Sequence, residues 1–320
     1  SLATCGSASS LSPGGAPTAG AAVVAPGHGV YLGAFANPQG ANGRANGGMA
    51  TYDQLVTLEG QIHRTLAIDL HYSAWNTALA SESVVRDLSA GRIPLISWEC
   101  GDTDANVAAG QDDQLLVSQA RSIAGLGKPV MIRWFWEMEF TGSNGGRQGT
   151  RNATCIGSDG ASGFIAAWRH IVAVFRANGA TRASWVFCPG GEAYGPNAQA
   201  RGVAASTYYP GDAYVDWIAE DVYSRAAPVP FAKLVAGMYS EYGNSGKPLI
   251  VCETGAEGSY QPTFISGMES DVPAGFPNLK GVVYFDSHGP LGSYVLTPDG
   301  LPAFASLGKD PYFAVMPSTP

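Results

Sequence analysis

Positive charge is scarce in this sequence. Lys and Arg together number 18 against 26 Asp and Glu, giving a formal net charge of −8. No Lys/Arg stripe is available to neutralise phosphates, which excludes a nucleic-acid partner. Charge of either sign is sparse, at 14% of 320 residues, so a neutral or weakly charged ligand fits better. No apolar run approaches the roughly 20 residues of a membrane-spanning helix, and no membrane partner is expected. Cysteine is limited to Cys5, Cys100, Cys155, Cys188 and Cys252, with no CxxC pair and no Cys/His cluster at zinc spacing. A Walker motif, a GxGxxG and a GxSxG are all missing. Their absence excludes a phosphate-binding loop, the dinucleotide fingerprint of a doubly wound sheet, and the nucleophile elbow of esterases. No cofactor is expected.

What is present is an alternation. From residue 30, short apolar runs at 30–36, 64–73, 93–100, 129–137, 183–190, 215–223, 248–255 and 280–288 read as eight strands. Between them lie amphipathic stretches. "TYDQLVTLEGQI" (51–62) starts at a Thr cap, and "DDQLLVSQARSIAGLG" (112–127) begins acidic and ends in Gly. "GFIAAWRHIVAVFRANGA" (163–180) carries Phe164, Trp168, Ile171, Val172 and Phe175 on one stripe, and "PFAKLVAGMYSEYG" (230–243) repeats the pattern. Weaker helical segments follow at 258–270 and 297–308. Eight strands alternating with helices predict a parallel sheet closed into a (β/α)8 barrel over residues 29–320. Residues 1–28 are Ala/Gly/Ser/Pro-rich and read as a tail or linker, or as a segment that wraps the fold. Cys100 and Cys155 fall in loops on one end of such a fold, where they can pair. Cys188 and Cys252 at strand ends read as buried thiols, and the odd count leaves at least one cysteine unpaired.

Barrel active sites sit at the C-terminal ends of the strands. Ionisable groups cluster there: Asp69 and His71 on the second run, Glu99 on the third, Glu137 and Glu139 on the fourth, Glu220, Asp221 and Tyr223 on the sixth, Glu253 on the seventh, and Asp286 and His288 on the eighth. Two carboxyl groups flanking one bond are what glycoside hydrolysis needs, one protonated to donate to the leaving oxygen, the other ionised. Glu137 stands in "MIRWFWEMEF" (131–140), where aromatic packing would disfavour its charged form. Glu253 follows "PLIV", a rigid buried run, and needs donors to stay ionised. Arg133, four residues before Glu137 and so on the same strand face, and Tyr223 on the neighbouring strand can supply them. Trp136 and Trp98 offer indole faces to a pyranose, whereas Trp134 and Trp168 read as core. His71 and His288 are candidates for sugar hydroxyls, and Glu139 for a third acidic contact or a solvated loop charge. Asn152-Ala153-Thr154 matches a glycosylation acceptor.

These strings resemble glycoside hydrolase family 26. "IRWFWEMEF" resembles the family's acid/base segment, in which Arg, three residues and Glu-Met-Asn are typical. "WRHIVAVFRANGA" followed by "ASWVF" looks like its helix and fifth strand, "YYPGDAYVDWIAEDVY" its approach to strand six, and "KPLIVCETGAEG" its nucleophile strand. "ISWEC" with "GQDDQLL", and the late "KDPYF", extend the likeness from about residue 30 to the end. The resemblance implies a retaining barrel with Glu137 as general acid/base, Glu253 as nucleophile, Tyr223 bonding the nucleophile, Arg133 as the strand-four Arg, and Trp98 and Trp136 near the sugar subsites. The expected activity is that of a secreted, monomeric endo-β-glycosidase acting on a polysaccharide, with β-1,4-mannan leading, β-glucan or β-xylan as alternatives, and a non-catalytic carbohydrate-binding barrel as a third reading. The sequence departs from the family where His usually precedes the acid/base (here Trp136) and where Asn usually follows it (here Glu139). It departs again in "TGSNGGRQGTRNATCIGSDG", which replaces a Trp-rich segment, and in an eighth strand ending with Phe285, Asp286 and His288 rather than Trp. These changes spare the chemistry and bear on which sugar is bound.

Overall fold

Eight short runs of β-branched and aromatic residues are buried almost throughout, as strands covered on both faces must be. The computed structural model describes residues 22–40, 48–142 and 146–318. Its chain runs β1 (Tyr31–Asn37), α1 (Gly48–Ile62), β2 (Ile68–Ser73), α2 (Glu82–Ser89), β3 (Ile93–Trp98), α3 (Asp104–Ala108), α4 (Asp113–Gly125), β4 (Val130–Trp134) and α5 (Gly146–Ile156). It continues through α6 (Gly160–Ala177), β5 (Ala183–Phe187), α7 (Ala205–Tyr208), β6 (Trp217–Ser224), α8 (Phe231–Tyr242), β7 (Leu249–Ala256), α9 (Gln261–Gly275), β8 (Leu279–Gly289), β9 (Gly292–Ser293) and α10 (Gly300–Lys309). Strands β1 to β8 pair in parallel in sequence order, and β1 pairs β8 from Tyr31↔Gly281 to Asn37↔Ser287. That closure makes the expected (β/α)8 barrel. The two-residue β9 folds back antiparallel on the end of β8.

Alternation along each strand divides the apolar residues into two bodies. Ile68, Leu70, Ile93, Leu95, Met131, Val186, Trp217, Ala219, Ile250 and Val283 fill the barrel interior. Trp98, Trp134, Phe164, Trp168 and Phe175 belong to the layer between strands and helices. There Trp134 stacks on Phe164 with centroids 5.6 Å apart, and Trp168, as expected, is core. Val23 joins the interior from below. Its N–H donates to Ser184 Oγ at 2.9 Å, and its carbonyl accepts from Trp217 Nε1 at 3.4 Å. The described part of the segment read as a tail or wrap thus seals the N-terminal mouth; residues 1–21 lie outside the described residues.

Two local breaks in regularity position the chemistry. Between β6 and β7 the register passes from Glu220↔Val251 to Asp221↔Glu253, so β7 carries one extra residue at Cys252. Such a bulge resets which face later residues use. Cys252 already points inward, and strict alternation would send Glu253 out; the bulge instead pairs Glu253 with inward-facing Asp221. The second break follows β4, where Phe135 (φ 48°) and Glu137 (φ 52°) both adopt the left-handed region. Non-glycine residues there cost on the order of 1–3 kcal/mol each and persist where surrounding contacts over-determine them.

The helices at 51–62, 112–127, 163–180 and 230–243 are found, with α1 starting three residues earlier than expected, so Thr51 is a buried helical residue rather than the cap. Helix α2, capped by Ser81 Oγ accepting from Val84 N–H, and helix α5 were not expected. Helix α5 lies inside the Gly-rich polar stretch after β4, where local composition argues for a loop. Tertiary bonds hold it: a Cys100–Cys155 disulfide ties it to the loop after β3.

Candidate active site

The C-terminal mouth of the barrel collects inward-facing side chains from five strands. Tyr72 ends the β2 row of Ile68 and Leu70, Ser97 the β3 row, Arg133 the β4 row, and Asp221 and Tyr223 the β6 row, while Glu253 arrives through the β7 bulge. Arg133 is the hub and is fully buried. Its Nη1 donates to both oxygens of Asp221 at 2.7 Å, its Nε to Ser97 Oγ at 2.9 Å, and its Nη2 to Glu253 Oε1. Burial opposes the guanidinium charge, but Asp221 and then Glu253 outweigh it and hold Arg133 firmly protonated. Glu253 accepts from two further donors, Tyr72 OH on Oε1 and Tyr223 OH on Oε2, the latter at 2.5 Å. Burial, then the Glu253 charge, pushes both phenols well above their usual range, so they serve as donors. Three donors from three strands therefore face one carboxyl group, a setting that suits a carboxylate. Tyr294, just past β9, stacks on Tyr223 with centroids 4.2 Å apart and receives the Arg225 Nε–H at 3.3 Å.

Glu137 has the opposite environment. It is partly buried, and its Oε2 accepts a hydrogen bond from Gln148 Nε2 at 2.5 Å. Burial first, and the nearby Glu253 carboxylate second, raise its pKa to about 7, against the opposing pull of Gln148, Arg133 and Arg225. Its backbone is fixed from two sides. The N–H donates to Cys188 O at 2.8 Å, continuing the β4–β5 edge past the strand, and the carbonyl accepts from Asn152 Nδ2 at 2.8 Å. Asn152 also donates to Phe140 O at 3.1 Å, closing the turn in which the left-handed residues sit. Gln148 and Asn152 both belong to α5. That helix is anchored by the disulfide at Cys155 and by the Arg151–Glu99 ion pair at 2.7 Å.

Glu139 is neither a solvated loop charge nor an open contact. It is buried, accepts the Gly190 N–H at 2.8 Å, and burial followed by the Glu137 charge raises its pKa to about 8. A Cβ at position 190 would stand 2.9 Å from its Oε1, so a larger residue there would displace this carboxyl.

Several expected roles change. Trp98 is not a sugar platform: it pairs in register with Trp134 on the helix-facing side, donates to Trp75 O at 3.0 Å and stacks on Trp75 at 4.6 Å. Alternation places Ser97, not Trp98, inside. His71 does not reach the mouth either, because its Nε2 lies 2.5 Å from Asp87 and 3.4 Å from Asp69 behind β2; the inward residue is its neighbour Tyr72. Trp136 does come to the site, but the Arg133 and Arg151 guanidinium groups lie over its ring at 5.1 and 5.2 Å, so it braces the hub more than it presents a bare face. The expectation that Arg133 and Glu137 share a strand face fails in its reasoning, since β4 ends at Trp134 and the left-handed turn, not alternation, brings Glu137 round. Asn152 is fully buried and both its amide bonds are to carbonyls, so it is no glycan acceptor. His288 is exposed on the β8–β9 hairpin at the same end of the barrel. Tyr72, Gln148, Asn152 and Tyr294 were missed. Period-two counting from Ile68 finds Tyr72; nothing local marks the other three.

Among the described residues, two trios bring metal-ligating atoms within 4.8 Å of one another: Asp69, His71 and Asp87, and Cys188, Asp221 and Cys252. In the first, Asp87 is already engaged by His71 and by Arg92 at 3.3 Å. No helix among the described residues is long and apolar enough to cross a membrane.

No family model matches the chain. A curated protein, Endoglucanase H of Acetivibrio thermocellus, is 26% identical over 214 residues, which are 61% of this chain but only 22% of that much longer protein. Solved structures match more fully. The GH26 domain of an endo-β-mannanase/endo-β-glucanase from Prevotella bryantii superposes with a TM-score of 0.59 at 13% identity, over 89% of this chain and 90% of that one. A β-mannanase from a symbiotic protist of the termite Reticulitermes speratus, solved with a gluco-manno-oligosaccharide, gives 0.61 at 16% identity over 89% and 88%. A mannanase from Bacillus subtilis gives 0.57 at 15% over 88% and 86%. The chain thus shares its barrel fold with these solved mannanases, among them the GH26 domain from Prevotella bryantii.

Proposed function

We propose that the chain is a retaining endo-β-glycanase of the family 26 kind, with β-1,4-mannan as its substrate. The observation that carries this is the division of labour between two carboxyls at one barrel mouth: Glu253 under three donors, and Glu137 with its pKa raised to about 7. In the first step Glu137 gives its proton to the glycosidic oxygen while Glu253 attacks the anomeric carbon. In the second, Glu137 takes a proton from water, which attacks that carbon and releases Glu253. Both catalytic groups are side chains, so no cofactor enters the reaction. The mannanases among the similar structures support mannan. A β-glucan is the second reading, favoured by the Prevotella mannanase/glucanase and by Endoglucanase H. The disulfide supports an exported enzyme, since such bonds persist in oxidising compartments.

Reducing-sugar release from a panel of defined β-mannans, β-glucans and β-xylans tests the activity. A binding barrel would retain polymer and release nothing. Azide assigns the roles: Glu137→Ala with an activated aryl glycoside should be accelerated and yield a β-azide, and Glu253→Ala an α-azide. Swapped configurations, or no acceleration of either variant, would refute the assignment. A retaining pair also requires the two carboxyls about 5–5.5 Å apart in a substrate complex, and a separation beyond about 6.5 Å would indicate inversion.

A further inference from the structure

Directly behind the Arg133 hub, the barrel interior holds two thiols that the proposed reaction leaves idle. Cys188 follows β5 and Cys252 is the extra residue of the β7 bulge; both are free and fully buried. Their sulfurs and one Asp221 oxygen lie mutually within 4.8 Å, and Cys188 Sγ is 3.3 Å from Asp221 Oδ1 and 3.5 Å from Arg133 Nη1. Alternation along β7 aims Cys252 inward and the bulge turns Glu253 inward as well, so two consecutive residues present a thiol to the interior and a carboxyl to the mouth.

The donor set is selective. Two sulfurs and one carboxylate oxygen suit a soft, tetrahedral, redox-inert divalent ion, and exclude magnesium and calcium, which demand six or more oxygens. With metal–sulfur bonds of about 2.3 Å, two thiolates on one tetrahedral ion stand about 4 Å apart, inside the observed spacing. Charge balances as well. The reaction M²⁺ + 2 RSH → M(SR)₂ + 2 H⁺ exchanges two protons for the ion and leaves the net charge of the cluster unchanged, so Arg133 meets no added positive charge. Asp221, however, gives both oxygens to Arg133 in the resting arrangement. Ligating a metal draws one of them away and loosens the guanidinium that holds Glu253.

We propose that Cys188, Cys252 and Asp221 form a binding site for a soft divalent cation of the zinc–cadmium class, and that its occupation shuts off the adjacent active site. The inhibition rests on the glycanase reading above; the metal site itself does not. Cadmium is the probe. The full chain, freed of metal, should take up one Cd²⁺ with a thiolate-to-metal charge-transfer absorption in the ultraviolet, and lose glycanase activity in proportion, with recovery on chelation. Cys188→Ala and Cys252→Ala should each lose that absorption and bind Cd²⁺ more weakly by well over the roughly 10–100-fold that removal of an outer-sphere partner costs. Each variant's activity, relative to its own metal-free rate, should resist Cd²⁺. Should either alanine variant lose its circular-dichroism signature, the serine variant at the same position, closer in volume, takes its place. An absorption that survives both substitutions and vanishes with Cys5→Ser would overturn the site. So would the absence of any thiolate band at one equivalent. A band that follows Cys188 and Cys252 while inhibition does not would overturn the coupling to catalysis. If no glycan is hydrolysed at all, the absorption measurement still decides the metal site, and only the functional reading falls.

Discussion

Glu137 shows how a single residue is tuned by competing effects. Burial and the Glu253 charge favour its neutral form, while the Gln148 hydrogen bond favours its charged form. Removing the charge-stabilising partner must raise the pKa further. In Gln148→Ala the alkaline limb of kcat/KM, expected near pH 7 for the intact chain, should therefore move to higher pH; a limb that moves down or stays would show that Gln148 does not act on the ionised carboxylate. The carboxyl at 253 is held in place by hydrogen bonds from Tyr72, Arg133 and Tyr223. Tyr72→Phe keeps the ring but deletes one of three donors, and hydrogen bonds to charged groups are worth about 1.5–3 kcal/mol. A fall in kcat of roughly 10–100-fold with little change in KM is expected, measured on the best polymer of the glycan panel. An unchanged kcat would remove Tyr72 from the site.

Helix α5 is the element on which the site depends most, and it owes its existence to anchors outside itself. The disulfide closes a loop of sequence separation 55, for which chain entropy implies about 4 kcal/mol at most. Cys155→Ala should lower stability by about 2–4 kcal/mol in urea. It should also lower kcat more than it raises KM, because Gln148 and Asn152 hold the side chain and the carbonyl of Glu137 from that helix. Equal activity in a clearly destabilised variant would mean that α5 is only a cover. Strand β3 carries the contrasting case. Trp98 packs between Trp75 and Phe175, so Trp98→Ala should cost about 3–5 kcal/mol of stability and leave KM unaltered. A raised KM at unchanged melting temperature would return it to the cleft.

At the scale of the molecule, the barrel separates its two ends by function. The C-terminal mouth holds the Arg133, Asp221 and Glu253 charges and the left-handed Phe135 and Glu137, and the N-terminal mouth is closed by apolar packing around Val23. The arrangement at the C-terminal mouth is held by contacts from β2, β3, β4, β6 and β7 and by the Cys188 carbonyl after β5. Val23→Asp places a carboxyl against the interior apolar cluster with few donors in reach, and should cost about 1–3 kcal/mol in denaturant melts. Catalytic constants measured well below the melting temperature should hardly change. A matching loss of activity would mean that the two ends are mechanically coupled.

The alternation of apolar runs and amphipathic stretches was enough to determine eight strands, the principal helices and the closed barrel, because strand and helix periods are local properties and the parallel topology follows from their order. The same reading located Glu137 and Glu253 at strand ends and Tyr223 beside them. Alternation counted from Ile68 and Ile93 already turns His71 and Trp98 outward and Tyr72 inward, against their reading as site residues and spacer. The local reading failed where facing is decided by neighbours. Glu253 points to the mouth only because β7 is one residue longer than the stretch of β6 it pairs with, and Glu137 only because two left-handed residues bend the chain after β4. Helix α5, with Gln148 and Asn152, is hidden by a Gly-rich, polar composition that reads as a loop, and a disulfide and long-range hydrogen bonds hold it on a buried face that is mostly not apolar. Local sequence determined which carboxylates were available; the pairing of distant strands decided which of them meet, because facing depends on register, and register is a relation between two segments that neither contains alone.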